Sequence, residues 1–108
     1  MLDLDSVTVV LPTYNSSRYI LPQIESILTQ TKPPRRLLIV DDASADGTYD
    51  LIRTRFKGES IIELRQNPVN QGQDKTLEAM LTEVRTDFFA ISDHDNVWLP
   101  EKLFRVRW

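Results

Sequence analysis

The 108-residue chain predicts an α/β fold, a parallel sheet with flanking helices on both faces. Three observations carry this. Short apolar runs alternate with stretches whose apolar residues recur at helical spacing. The order of the two patterns is β-α-β-α-β-α-β, which argues for a parallel sheet. Three polar clusters each follow directly on an apolar run, at the carboxyl ends of strands, where sheets of this kind bind ligands.

Val7-Thr8-Val9-Val10-Leu11 is β-branched and apolar and reads as a buried strand that stops at Pro12. Thr13-Tyr14-Asn15-Ser16-Ser17 is a polar loop. Ile20, Ile24, Ile27 and Leu28 follow at i, i+4, i+7, i+8, the spacing of one helix face. Pro22 suits the first turn and Pro33-Pro34 ends the helix. Leu37 to Val40 is a second strand, followed by Asp41-Asp42 and by Asp46 as an expected N-cap. Tyr49, Ile52, Arg53 and Phe56 mark a second helix that stops at Gly58. Ile61-Ile62-Glu63-Leu64 is a third strand, and Asn67-Pro68-Val69-Asn70-Gln71-Gly72 a loop. Leu77, Met80, Leu81 and Val84 mark a third helix, and Phe88 to Ile91 a fourth strand.

Composition narrows the function. The length suits one small domain with one core. A net charge of −3 argues against a dedicated nucleic-acid binder, because phosphate backbones select basic faces. No run approaches the roughly 20 apolar residues of a membrane span. Asp3 and Asp5 stand where a signal peptide needs basic residues. With no cysteine there are no disulfides, thiolate metal sites or Cys nucleophiles, which agrees with a cytoplasmic location. The chain stops at Phe104-Arg105-Val106-Arg107-Trp108, inside an expected helix, and is expected to be a piece of a longer protein.

Asp93-His94-Asp95 is the first candidate site. Alternate side chains of an extended stretch point the same way, so Asp93 and Asp95 can converge on one divalent cation. The competing reading is a polar turn. Placement after a strand, with a second acidic pair after another, favours the cation. Asp41 and Asp42 can satisfy helix amides or receive N–H and O–H groups of a base or sugar. Because Asp46 already serves the helix, the second role is favoured. His94 is expected to face away from both Asp residues. Lys75, near the start of the third helix, can meet a phosphate or stand as a solvated charge. Tyr14 can stack on a base or pack on the core, and its place in a strand-end loop favours the ligand. Trp98, Leu99 and Pro100 read as packing that anchors the acidic loop. There is no Gly-x4-Gly-Lys-Ser/Thr loop and no Gly-x-Gly-x-x-Gly after the first strand. A single His leaves little room for zinc chemistry.

These residues together resemble glycosyltransferase family 2. Val9-Val10-Leu11-Pro12-Thr13-Tyr14-Asn15 is similar to its opening strand and loop. Ser26-Ile27-Leu28-Thr29-Gln30-Thr31 is similar to its first helix end. Ile39-Val40-Asp41-Asp42-Ala43-Ser44-Ala45-Asp46-Gly47-Thr48 is similar to its second-strand motif, and the segment from Asn67 to Gly72 to its Asn-x-x-x-x-Gly loop. Ser92-Asp93-His94-Asp95 through Leu103 resembles the Asp-x-Asp segment of a rhamnosyltransferase-like branch. The likeness covers nearly the whole chain.

The resemblance implies a GT-A fold truncated at its C-terminus, with residues 1–108 forming a Rossmann-like, nucleotide-sugar-binding half. It implies a UDP-, dTDP- or GDP-linked sugar as donor, Mn2+ or Mg2+ as cofactor and a glycan or lipid-linked acceptor, as in cell-surface polysaccharide synthesis. By position, Pro12, Thr13, Tyr14 and Asp42 would hold the base, Asp93 the ribose or sugar region, and Asp95 the metal, with Asp93 beside it. Lys75 joins them as a candidate for the donor's phosphates. The general base of inverting members lies downstream of Asp-x-Asp, so no catalytic residue is assigned in this chain, and it is expected to show little transfer alone. Apolar surface left bare by the missing half would favour self-association. The full-length protein is expected in the cytoplasm, at the inner face of the membrane. Two other classes compete. A phospho-receiver would need an acidic pair after its first strand, where this chain has Pro12-Thr13-Tyr14-Asn15. A non-catalytic interaction module would use the Asp residues as turns.

Overall fold

The structure, a computed structural model, describes residues 6–92. Within them the elements are β1 (Val7–Thr13), α1 (Ile20–Leu28), β2 (Arg36–Asp41), α2 (Thr48–Arg55), β3 (Ile62–Gln66), α3 (Gln73–Leu81) and β4 (Phe88–Ile91). The expected alternation is therefore observed. All strand pairs are parallel, in the order β3-β2-β1-β4. The chain builds outward from β1 to β3 and then returns to the other side of β1. That reversal opens a crevice beyond the carboxyl ends of the strands.

The period of two in the strands sorts the core into two layers. Val7, Val9, Leu11, Leu37 and Ile39 face α1 and α2, meeting Ile20, Ile24, Ile27, Ile52 and Phe56. Val10, Leu38 and Val40 face the other way and meet Met80 of α3, with Leu77, Leu81 and Val84 around it. Helices thus cover both faces, as the sequence predicts. On the edge strand β3, charge replaces apolar surface: Glu63 pairs with Arg36 at 2.7 Å, and Arg65 with Glu83 at 2.5 Å. Such charges discourage pairing with another strand. On β4, Phe89 and Ile91 remain exposed.

Several boundaries differ from the sequence reading for identifiable reasons. β1 does not stop at Pro12 but runs to Thr13, with Pro12 opposite Val40 and Thr13 opposite Asp41. Backbone groups alternate sides along a strand. The carbonyls of Val7 and Thr13 accept from Arg35 and Asp42 on the β2 side, whereas that of Val10 accepts from Ser92 on the β4 side. Pro12 shares the side of Val10, so its missing N–H faces away from β2 and costs that pairing nothing. α1 ends at Leu28, well before Pro33. Thr29 closes it, because both its N–H and its hydroxyl bond the carbonyl of Glu25. The N-cap of α2 is Gly47, at φ 85°, rather than Asp46. α3 ends at Leu81, and Val84 packs on the core from the turn beyond it.

Candidate functional site

Three loops meet at the carboxyl ends of the strands, and side chains of the β2–α2 loop tie them together. Asp41 is fully buried at the end of β2. Its Oδ1 accepts from the Thr13 hydroxyl at 2.7 Å and the Ser44 hydroxyl at 2.6 Å. Its Oδ2 accepts from the Ser44 amide at 2.9 Å and from Gln66 Nε2 at 3.3 Å. These bonds span β1, β2 and β3 and hold Ala43 at φ 60°, a left-handed conformation that alanine alone disfavours. Asp41 therefore does not face a ligand, contrary to the expectation that both Asp residues would. The β1–α1 loop is laced to the same turn. Asn15 N–H donates to Ser44 Oγ, Ala45 N–H to Asn15 Oδ1, Ser16 N–H to Thr48 Oγ1 and Ser17 N–H to Asp46 Oδ2.

Asp46 sets an acid limit on this lacing. Burial pushes its carboxyl up, but donors from Thr48 and Ser17 outweigh that and bring it down to about 2, from an ordinary 3.8. A carboxyl lowered in the folded state contributes stability that is full above its unfolded value and disappears as pH falls through its folded value. Stability is therefore expected to drop between about pH 4 and pH 2. Urea unfolding across that range should show a shallower acid limb for Asp46→Asn than for the parent chain.

Asp42 begins the second part of the site. It is buried, and its carboxylate faces the 67–72 loop. Oδ1 accepts from Asn67 Nδ2 at 2.9 Å and Gln71 N–H at 2.7 Å; Oδ2 accepts from Gly72 N–H at 2.9 Å. Asn70 Nδ2 reaches the Asp42 carbonyl at 3.2 Å, and Asn67 also reaches the Thr76 hydroxyl at 3.0 Å. Burial raises the Asp42 carboxyl, while Asn67, the Gln71 and Gly72 amides and the Thr76 hydroxyl lower it further, so it lies below the ordinary carboxylate value. Gly72 has φ 93° and ψ 150°, a region open essentially to glycine alone, and its amide points at Asp42 as α3 begins. The Asn and Gly of the Asn-x-x-x-x-Gly motif thus act as a clamp on Asp42. Contact between Asp42 and a base would require this loop to release one of its donors.

Between these loops lies a cleft of about 320 Å3. Pro12, Thr13, Tyr14 and Asp42 line it together, so four of the predicted residues converge. Tyr14 is 53% exposed there, which excludes core packing and leaves its ring open to a flat partner. Ser16, Tyr19, Asn70, Gly72, Gln73 and Thr76 complete much of the wall. Lys75 does not join them. It lines a second cleft, with Arg65, Gln66, Gln71 and Glu83, between α3 and β3. Asp93, His94 and Asp95, with Trp98, Leu99 and Pro100, lie outside the described residues.

Sequence reasoning missed Gln23. It lies fully buried on α1, lines the cleft, and donates from Nε2 to the Ser92 hydroxyl at 3.0 Å, while its Oε1 has no hydrogen-bond partner among the described residues. An unanswered buried carbonyl of this kind costs about 1–3 kcal/mol. The signal was present in the sequence: Gln23 falls at i+3 of the Ile20, Ile24, Ile27 stripe, where an apolar residue belongs.

Among the described residues no group of three Asp, Glu or His side chains is positioned to hold a metal ion. Asp41 and Asp42 spend their oxygens on the chain itself. Asp93 and Asp95 are hard oxygen donors suited to Mn2+ or Mg2+, and they follow Ser92, whose amide donates to the Val10 carbonyl within β1.

Comparison with known proteins decides the family. The model described as "Glycosyl transferase family 2" matches residues 8–106. The chain belongs to that family. Among curated relatives of this family 2 chain is the putative teichuronic acid biosynthesis glycosyltransferase TuaG of Bacillus subtilis. It is 32% identical over 97 residues, 90% of this chain and 38% of the relative. Another is the UDP-Glc:alpha-D-GlcNAc-diphosphoundecaprenol beta-1,3-glucosyltransferase WfgD of Escherichia coli, 33% identical over 90% of this chain and 38% of its own length. Neither name is that of a rhamnosyltransferase. Among solved structures, the mannosyltransferase PcManGT of Pyrobaculum calidifontis, in complex with GDP-Man and Mn2+, superposes with a TM-score of 0.82 at 28% identity. The match covers 94% of this chain and 31% of that one. S. aureus TarS in complex with UDP gives a TM-score of 0.81 at 26% identity, over 94% and 30%. The fold of this chain is thus that of the GT-A glycosyltransferases. The chain spans between 29% and 41% of the length of the curated relatives compared.

Proposed function

We propose that the chain is the donor-binding part of a glycosyltransferase that moves a sugar from a nucleoside-diphosphate sugar to a glycan or lipid-linked acceptor. The observation that carries this is the cleft at the strand ends, where Pro12, Thr13, Tyr14 and Asp42 meet the start of α3. Tyr14 offers a flat aromatic face to a base. The nearly dry surroundings of Asp42 strengthen polar contacts at that wall. The GDP-Man and UDP complexes of two structural relatives support a nucleotide-sugar ligand here.

Asp95, with Asp93, holds Mn2+ or Mg2+ in this reading, and the Mn2+ of the PcManGT complex supports it. The cation so held would supply positive charge to offset that of the leaving diphosphate. The reaction is inverting. The carboxylate that deprotonates the acceptor comes from the remaining length of the protein, so residues 1–108 alone bind donor and transfer little. The whole protein works in the cytoplasm, at the inner membrane face, on cell-surface polysaccharide; TuaG and WfgD, whose names carry such products, support this. Among the described residues no helix is long and apolar enough to cross a membrane.

Calorimetric titration with UDP, dTDP and GDP, each with and without Mn2+, tests the reading. At least one is expected to bind, at least tenfold more tightly with Mn2+, with that gain lost in Asp95→Ala. No binding by any of the three to folded protein would refute it.

A further inference from the structure

The buried stripe of α1 carries one polar residue among its isoleucines: Ile20, Gln23, Ile24 and Ile27. A carboxamide presents two donors and an acceptor with two lone pairs. The Nε2 end of Gln23 is anchored on the Ser92 hydroxyl at 3.0 Å, whereas Oε1 is buried and unanswered among the described residues. The same residue lines the cleft, beside Thr13 and Thr76. Buried polar groups in native proteins are nearly always paired, and an exception at a cleft is open to a partner that enters the cleft.

We propose that Gln23 is a specificity-determining residue of the donor site, its Oε1 accepting a hydrogen bond from an N–H or O–H group of the bound nucleoside-diphosphate sugar. This rests on the donor-site reading above and adds to it a residue from α1. The chemistry restricts which part of the donor is read. A neutral carbonyl oxygen attracts donors and gains nothing from anionic phosphate oxygens, so the contact falls on the nucleoside or the sugar and not on the diphosphate. With the Nε2 end engaged by Ser92, Oε1 is the end left for the ligand. Gln23 supplies binding and selection; it takes no part in bond making.

The test compares Gln23→Leu/Ser92→Ala with Ser92→Ala alone, in the full chain with Mn2+. Removing both members of the buried pair avoids stranding either one. The ligands are UDP, dTDP and GDP, and UDP-glucose, dTDP-glucose and GDP-mannose. The double variant is expected to bind at least tenfold more weakly than Ser92→Ala, at an equal or higher melting temperature. A loss seen already with a diphosphate assigns the donor group to the nucleoside; a loss confined to a sugar conjugate assigns it to the sugar. Either supports the inference. Affinities within twofold of each other in both arms, while the parent chain binds, would overturn it and leave the donor-site reading standing. Absence of binding by the parent chain would overturn both. Should the double variant fail to fold, the Gln23 side-chain amide is followed by 15N NMR in the parent chain. It is expected to shift on saturation with the ligand, and an unmoved resonance would overturn the inference.

Discussion

Asp41→Ala is expected to lower the unfolding free energy by about 4 kcal/mol, near the upper end for a single substitution. Four donors lose their acceptor at once: the Thr13 and Ser44 hydroxyls, the Ser44 amide and Gln66 Nε2. Each bond to a charged acceptor contributes about 1.5–3 kcal/mol net. The full sum is not lost, because two of the donors are hydroxyls that rotate toward other partners. The Ser44 amide has no such freedom, and Ala43 keeps its left-handed φ of 60° without the bonds that enforce it. Water does not relieve the loss, since the side chain is fully buried between the ends of β1 and β3. Thermal unfolding followed by circular dichroism should show a fall of at least about 10 °C. Asp41→Asn keeps the shape and one carbonyl acceptor, and should lose roughly half as much.

Asp42→Ala is expected to cost less stability, about 2–3 kcal/mol, and more function. Its partners Asn67 Nδ2 and the Gln71 and Gly72 amides sit on a loop whose neighbours Val69 and Asn70 are exposed. That loop can swing outward and hydrate its freed amides, which limits the stability loss. The same motion removes the wall that Asn70 and Gly72 give the cleft. Nucleotide affinity is expected to fall at least tenfold, measured by calorimetry beside urea unfolding. The two adjacent carboxylates thus separate by experiment: Asp41 chiefly holds the sheet ends together, and Asp42 chiefly shapes the site.

Periodicity alone made much of the fold readable. Ile20, Ile24 and Ile27 mark the inner face of α1 because no other conformation places them side by side, and the apolar runs at Val7, Leu37 and Phe88 allow little but strands. What escaped was set by contacts distant in sequence. The continuation of β1 through Pro12 depends on which side of the strand each N–H faces, which neighbouring strands decide. The division of labour between Asp41 and Asp42 depends on Thr13 and Gln66 for one and on Asn67 and Gly72 for the other, and hydrogen bonds across 25 to 30 residues leave no local pattern. Lys75 looked close to the site because it follows Gly72, but it lines the neighbouring cleft, with Arg65 and Gln66 of β3. Gln23 was legible as a break in an apolar stripe; its unanswered oxygen was not.

Donor recognition at the strand ends is tested most directly by 15N–1H shift mapping of the chain with UDP, GDP or dTDP and Mg2+. The shifts should concentrate on the amides of Thr13, Tyr14, Ser16, Asp42 and Gly72, around the 320 Å3 cleft. Shifts centred instead on Arg65, Lys75 and Glu83, or no saturable shift with any of the three nucleotides, would contradict the assignment of this cleft as the donor site.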